Sequence, residues 1–384
     1  MSKKEKIFML AFYFFIYFLI SPAYSQGPYY KYQEELMDAI MEDNTQKLEN
    51  LLPKDVNINM IDNYGTTPLM LAVIRGKISI VELLLNKGAN INAKDMRNYT
   101  SLMFAAYNNY IDIMKLLIER GAHIDDQNIN GNTALHLAVA INNFSMAKLL
   151  IEKGANLDIK NMSGNSALVN AAAYNNDDIF QVLMDSSADI GLRNNMGNTA
   201  LLLAAEKNNF FIVRNLILNG ASINAVNKEG KTALINAVAK GNRKIVQALI
   251  DAGAEINIKD HNGNTPLMYS VLASSMEIFN LLIDRGAKIE VLDNEGNTLL
   301  INAIKTGNEE IVLTILNKGV SVNKKNHEGT TPLMIAAKYG NIELTKILLK
   351  AGADKNLRNN RGFTALEVAL LAKNRRIAKE IREY

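Results

Sequence analysis

Residues that could support catalysis or bind a metal are few in this chain and form no recognisable motif. Its 384 residues include four His and no Cys, which excludes disulfides, thiol nucleophiles and thiolate metal sites. Glycine-rich nucleotide loops, a GxSxG nucleophile turn and an HExxH zinc helix are all missing. Adjacent acids such as Asp177 and Asp178 are most simply solvated residues at helix starts. The sequence therefore predicts no cofactor and no metal site, and enzyme activity is only a remote alternative.

The first 25 residues differ from the rest of the chain. Three lysines within the first six residues precede an uninterrupted apolar run of 14 residues (7–20), and a proline and small residues follow it. This layout predicts a secretory signal peptide over residues 1–25, cleaved after Ser25. The alternative is an uncleaved membrane anchor, but a spanning helix needs roughly 20 apolar residues.

Composition predicts a folded chain with little net charge. Hydrophobic residues make up 48% of the sequence and charged residues 21%. The formal net charge is +3, and removal of the signal peptide leaves 39 Lys and Arg against 38 Asp and Glu, so we expect no nucleic acid partner. The richness in Asn, Lys and Ile is typical of an AT-rich bacterial genome. We therefore expect a periplasmic protein, with secretion or N-terminal membrane anchoring as alternatives, and a membrane contact only if the N-terminal segment stays uncleaved.

One short sequence motif recurs along the chain. Residues 131–140 read GNTALHLAVA, and close variants begin at residues 65, 230 and 329. Ten units in the same register, each 33 residues long, begin at Asp62, Asp95, Asn128, Asn161, Asn194, Asn227, Asp260, Asp293, Asn326 and Asn359. The eighth position is Leu in every unit, and the sixth is Thr except for Ser166. A fixed period of this kind indicates stacked repeats that cover one another's apolar faces.

The recurrent residues suit particular places in a turn and two helices. The opening Asp or Asn and the Gly three places later suit a tight turn. The Thr suits a helix N-cap, and at three repeats the first helical position after it is a proline: Pro68, Pro266 and Pro332. The end of this helix needs a left-handed backbone and carries Gly or Asn, as at Gly76, Asn109, Asn142, Asn175, Asn208, Gly241, Gly307 and Gly340. A second amphipathic helix and a Gly-Ala pair complete the unit.

This pattern resembles the ankyrin repeat family over about residues 29–384. The resemblance implies an all-α repeat solenoid, in which each unit is a β-turn or hairpin finger followed by two antiparallel helices. Fingers and first helices would line its concave side. We divide the chain into the signal peptide (1–25), an N-terminal linker and capping repeat (26–61), nine ankyrin repeats (62–358) and a C-terminal capping repeat (359–384).

The resemblance also implies a structural role for one histidine. His136 occupies the family's Thr-x-x-His position, where the imidazole bonds to the neighbouring loop. His261 and His327 share one finger position two repeats apart, so roughly 20 Å separates them at the packing distance of helices. Metal ligands lie about 2 Å from their ion, so this pair cannot share one.

In the ankyrin family, recognition is carried by residues that vary between repeats and project from the finger and the inner edge of the first helix. The corresponding candidate partner-binding residues in this chain are Tyr64, Arg97, Tyr99, Tyr107, Tyr174, Lys207, Lys240, Lys305, Lys338 and Tyr339. Tyrosines are concentrated toward the N-terminal end of the predicted groove and lysines toward the other, which predicts a protein or peptide partner gripped by aromatics and steered by charge. The alternative is that these side chains only keep the groove soluble.

These observations predict a non-catalytic, exported scaffold for protein–protein interaction. It would bind one protein or peptide on the concave groove and act as a monomer. A secreted or surface effector that binds host proteins is the alternative role for the same fold.

The repeat over residues 161–193 deviates most from the pattern. Ser187 replaces the helix-ending Gly, Gly191 replaces the usual Asn or Asp, and Asp177 with Asp178 replaces an apolar entry to the second helix. We therefore expect this repeat to be locally weak.

Overall fold

The computed structural model describes residues 28–52 and 57–384. The predicted signal peptide lies outside these residues. The chain divides into two compact units, with the boundary after Asn195, and each unit is described by itself. The described residues contain 22 α-helices and no strand, apart from one isolated antiparallel bridge between Leu292 and Thr298. This confirms the predicted all-α repeat architecture, with a turn finger and two helices in each repeat.

The N-terminal unit holds ten helices within the described residues. They are α1 (Pro28–Met41), α2 (Thr45–Leu51), α3 (Pro68–Ile74), α4 (Ile78–Asn86), α5 (Ser101–Asn108), α6 (Ile111–Glu119), α7 (Ala134–Ala140), α8 (Phe144–Glu152), α9 (Ala167–Tyr174) and α10 (Asp177–Asp185). The pair α1–α2 falls in the predicted N-terminal capping repeat, and its side chains Leu36, Ile40 and Leu48 are fully buried.

The C-terminal unit continues the alternation of short first helices and nine-residue second helices. It holds α11 (Ala200–Glu206), α12 (Phe210–Leu218), α13 (Ala233–Ala239), α14 (Arg243–Asp251), α15 (Pro266–Leu272), α16 (Met276–Asp284), α17 (Leu299–Thr306), α18 (Glu309–Asn317), α19 (Pro332–Tyr339), α20 (Ile342–Lys350), α21 (Ala365–Leu371) and α22 (Arg375–Glu383). None of the described helices combines the length and the apolar character that crossing a bilayer requires.

Each first helix begins and ends where the sequence predicted. Thr100 is the N-cap of α5, and its hydroxyl oxygen accepts a hydrogen bond from the Met103 amide at 3.3 Å. This bond satisfies one of the amides that a helix leaves unpaired at its start. Asn109 ends the same helix with a φ of 64°. The other Gly and Asn residues predicted at this position also have positive φ values, so both predictions are confirmed.

The first helices form the core because they are covered on several sides. In α5 every residue from 101 to 106 is buried, since the helix packs against α3, against α7 and against its own partner α6. Small residues at Ala105 and Ala106 allow this close approach. Replacing a buried leucine such as Leu102 with alanine would lower the free energy of unfolding by about 2–5 kcal/mol.

Side-chain oxygens also join consecutive repeats at the loop between the second helix of one repeat and the finger of the next. Asn59 Oδ1 accepts the Asn90 amide at 2.7 Å, and Asn92 Oδ1 accepts the His123 amide at 2.8 Å. Asn323 makes the same bond in the C-terminal unit, to the Asp354 amide at 2.9 Å. A short polar side chain at this position therefore aligns one repeat with the next.

The repeat at 161–193 forms both of its helices. Asp177 and Asp178 lie exposed in the first turn of α10, where negative charge favours the helix dipole, so the acidic entry is not a weakness. Ser187 is different because it has a φ of 63°, in the left-handed region that disfavours a side chain. Two of the three predicted weak points therefore remain. They are Ser187 and Gly191, and Gly191 has no side chain to make the bond that Asn59 and Asn92 make to the next repeat.

Ser187→Gly should stabilise the protein by about 0.5–1 kcal/mol, because glycine adopts a positive φ without the steric cost of Cβ. Gly154 is the matched position in the preceding repeat. It has a φ of 86°, and no neighbouring atom lies within 4 Å of the place a Cβ would occupy, so Gly154→Ser should destabilise the protein by a similar amount. Urea unfolding of both variants measures this. Equal stability of all three proteins would show that this backbone position carries no strain.

Candidate functional site

The finger tips are held rigidly by their opening acid or amide. Asp95 Oδ1 accepts hydrogen bonds from the Arg97 amide at 2.8 Å and the Tyr99 amide at 2.7 Å. Neighbouring fingers are joined by their main chains, since the Met96 amide donates to the Tyr64 carbonyl at 2.9 Å and the Ile129 amide donates to the Arg97 carbonyl at 3.0 Å. The fingers of the N-terminal unit therefore present their side chains from a fixed backbone.

An aromatic cluster lies beside the second of these fingers. The rings of Tyr99 and Phe104 stack with their centroids 5.3 Å apart, and the Arg97 guanidinium lies 5.9 Å from the Tyr99 ring centre. Burial raises the pKa of the Tyr99 hydroxyl, and Arg97 offsets this only in part. Burial also raises the pKa of the Tyr107 hydroxyl, and the nearby Tyr99 raises it further. Both hydroxyls therefore remain protonated donors at neutral pH.

Tyr99 stands at the fifth finger position, where five of the ten fingers carry an asparagine. Asn161 Nδ2 donates to Asn132 Oδ1 at 2.9 Å, so the first residue of one finger is bonded to the fifth residue of the finger before it. The C-terminal unit repeats this bond between Asn227 and Asn198. Asn128 faces the Tyr99 hydroxyl instead, a contact that lowers the pKa of Tyr99, and its buried Nδ2 makes no well-formed hydrogen bond among the described residues. The aromatic cluster therefore replaces a hydrogen bond that related fingers possess.

The remaining predicted aromatic residues are exposed but more widely spaced. Tyr64 projects from the first finger, and Tyr174 is the last residue of α9, two repeats beyond Tyr107. The structure therefore groups Arg97, Tyr99 and Tyr107 and leaves Tyr174 apart.

The predicted lysines of the C-terminal unit fall into two groups. Lys207 lies 3.8 Å from Glu206 and Lys305 lies 3.8 Å from Glu295, so a neighbouring carboxylate screens each charge. Lys240 and Lys338 are exposed, and no carboxylate pairs with either among the described residues. Tyr339 is also exposed, at the end of α19.

Sequence reasoning missed an apolar row at the finger tips. Met96 and Met162 are each 71% exposed, and Ile129 lies between them on the intervening finger at 48%. The equivalent position is Asn63 in the preceding finger. The sequence signal for this row is an apolar residue at the second position of the finger, because the other fingers carry a polar residue there.

The buried ionisable groups serve the fold. Tyr269 donates a hydrogen bond of 2.7 Å to Asp260 Oδ2, and burial raises the pKa of this tyrosine. Basic residues at the ends of repeats also make hydrogen bonds to the next repeat. Lys160 Nζ donates to the Arg193 carbonyl at 2.9 Å, and Lys259 Nζ donates to the Leu292 carbonyl at 2.7 Å. No group of three or more His, Asp or Glu side chains in the described residues is arranged to hold a metal ion.

His136 has the structural role that the sequence predicted. It is buried, its Nδ1 lies 3.0 Å from Thr133 Oγ1, and its Nε2 lies 3.0 Å from the Asn165 carbonyl oxygen in the next finger. The carbonyl can only accept, so Nε2 carries the proton and Nδ1 accepts from Thr133. Burial lowers the pKa of this imidazole.

These features define a helical-repeat protein whose fingers and first helices present exposed side chains on a rigid frame. The family model described as ankyrin repeats (3 copies) matches residues 36–128, 102–194, 168–260 and 252–326, and that described as ankyrin repeats (many copies) matches residues 315–369. The chain therefore belongs to the ankyrin repeat family. A search of curated proteins returned no match. Ankyrin repeats generally mediate protein–protein binding, and the proteins that contain them are generally non-catalytic scaffolds.

Protonation of His136 should destabilise the N-terminal unit. Because the folded pKa lies below the unfolded value of 6.5, this residue contributes stability that is present above pH 6.5 and is lost as the pH falls toward the folded pKa. His136→Met introduces the residue found at the equivalent positions Met103 and Met334. Between pH 6.5 and 5.5, the free energy of unfolding of this variant should fall by up to about 1 kcal/mol less than that of the wild type. Urea unfolding at the two pH values measures it, and an unchanged pH dependence in the variant would contradict the assignment.

Proposed function

We propose that this chain is an exported, non-catalytic scaffold that binds a protein or peptide on the fingers and first helices of its N-terminal unit. The observation that carries the proposal is the replacement of an inter-finger hydrogen bond by the Tyr99 cluster. A buried polar group without a partner costs about 1–3 kcal/mol. Departures from a local stability rule are expected at functional sites.

The side chains around Tyr99 suit an apolar or aromatic segment of a partner. Tyr99 and Tyr107 provide ring surface, and the buried Phe104 supports the Tyr99 ring. The fixed backbone of the fingers limits the entropy that binding would remove. The exposed methionines Met96 and Met162 extend this surface with flexible, polarisable side chains. Tyrosine and arginine are the residues that most often dominate binding energy at protein interfaces.

Export is the second part of the proposal, and it is supported by the basic and apolar layout of residues 1–25. The chain recovered from producing cells should begin at Gln26, and N-terminal sequencing tests this directly. A chain that begins at Met1 would overturn cleavage. Fractionation of the same cells distinguishes a periplasmic from a released protein.

Tyr99→Asn should weaken partner binding roughly 30-fold, because the ring is lost. For the fold, the new acceptor for Asn128 adds about 1 kcal/mol, and the loss of the stack on Phe104 removes a similar amount, so we expect little net change in the free energy of unfolding. Capture of partners from the native extract, followed by titration of the captured partner, gives the first readout, and urea unfolding gives the second.

Two variants serve as controls for this experiment. Tyr99→Phe keeps the ring and should retain binding, while Leu313→Ser removes an exposed apolar residue of α18 and should leave binding unchanged. If Tyr99→Asn captured the partner as strongly as the wild type, the site would not lie at this cluster.

A further inference from the structure

A second exposed surface lies in the C-terminal unit, at the turn between its last two helices. We call it the last-turn patch and define it by Tyr339, Leu370, Leu371, Lys373, Arg375 and Arg376. The turn between α21 and α22 is fixed against α19, because Asn374 Nδ2 donates to the Ala337 carbonyl at 2.8 Å and to the Lys338 carbonyl at 3.2 Å. These bonds bring the end of α19 beside the turn.

The centre of the patch is apolar. Leu371 is 66% exposed, Tyr339 is 58% exposed and Leu370 is 46% exposed. Three large apolar side chains in this position leave a face that water solvates poorly.

The other three residues of the patch are cations. Lys373, Arg375 and Arg376 are exposed, and no carboxylate among the described residues pairs with them. Two nearby acids are engaged elsewhere, since Glu367 lies 3.3 Å from Arg358 and Glu383 lies 3.6 Å from Lys379. Glu380, four residues after Arg376 on α22, forms no ion pair within 4 Å among the described residues.

The two arginines also oppose the local helix dipole. They occupy the first turn of α22, as Arg243 and Lys244 occupy the first turn of α14, whereas the second helices α6, α10, α16, α18 and α20 carry acids there. Positive charge at a helix start is unfavourable by roughly 0.3–1 kcal/mol. The last turn shares its basic helix start with α14 and combines it with exposed apolar side chains.

We propose that the last-turn patch binds an anionic phospholipid surface. Exposed leucines beside Lys and Arg are the combination that peripheral proteins insert at a bilayer interface, where each basic residue near anionic headgroups adds about 1 kcal/mol. Peptide ligands, in contrast, are held by a strand edge, a helix groove or a preformed slot. The described residues of the patch belong to three helix termini and one turn, and they contain no strand.

The test uses the mature chain recovered from producing cells and measures co-sedimentation with two kinds of vesicle. One contains phosphatidylcholine alone, and the other contains phosphatidylcholine with phosphatidylglycerol. We expect binding only to the anionic vesicles and weaker binding as salt is added. Arg375→Gln with Arg376→Gln should weaken it roughly 30-fold, and Leu371→Ser roughly 10-fold.

Matched variants in the same unit keep the test specific. Lys318→Gln with Arg214→Gln removes the same charge from exposed positions outside the patch, and Leu218→Ser removes a leucine that is 70% exposed on α12. Both controls should bind anionic vesicles as the wild type does. Equal losses in patch and control variants, or equal binding to both vesicle types, would overturn the proposal.

Polyglutamate is the probe for the competing kind of partner. If the chain bound immobilised polyglutamate through the patch but did not bind anionic vesicles, the occupant would be an acidic protein segment and the lipid proposal would be wrong. The inference does not rest on the proposed groove function. Tyr99→Asn should leave vesicle binding unchanged, so either proposal can fail while the other stands.

Discussion

The structure depends on covering the first helix of every repeat. In α5 each residue from Ser101 to Ala106 is buried, so one short helix has almost no surface of its own. Within a finger and first helix, a side chain can change freely only at the finger tip and along the narrow inner strip that ends, in α5, near Tyr107. The burial that stabilises the stack therefore restricts recognition by these two elements to those positions. Binding residues must come from positions that the core does not use.

The features that the sequence predicted best are those that a single backbone position determines. A helix N-cap needs a hydroxyl or carboxylate, and a left-handed helix end favours Gly or Asn, so Thr100 and Asn109 could be assigned from residue type and register alone. Contacts between repeats were not predictable in this way. The stacking of Tyr99 on Phe104 and the distance from Lys305 to Glu295 depend on side-chain rotamers, which residue type does not determine.

Departures from the repeat pattern do not all have the same meaning. Ser187 places a side chain in a left-handed backbone and adds no surface or contact that a partner could use, so its effect is confined to stability. Tyr99 removes an acceptor from Asn128 but adds a ring to a rigid, exposed frame. The useful question at a deviant position is therefore what the replacement adds. By that criterion the acidic start of α10 is no defect at all, because its charges suit the helix dipole.

The small net charge of the whole chain conceals a large difference between its units. Residues 1–195 carry 17 Lys and Arg against 21 Asp and Glu, whereas residues 196–384 carry 25 against 18. Much of the positive charge in the second unit is engaged, as in the pairing of Arg285 with Asp251 and the bond from Lys325 to the Arg358 carbonyl. Residue counts cannot distinguish engaged from available cations, and the structure can. The last turn differs because its cations have no carboxylate partner among the described residues and lie beside exposed leucines, so charge and apolar surface act at one place. The two proposed kinds of binding, to the aromatic cluster of one unit and to the cations of the other, therefore depend on different side chains of a single repeat fold.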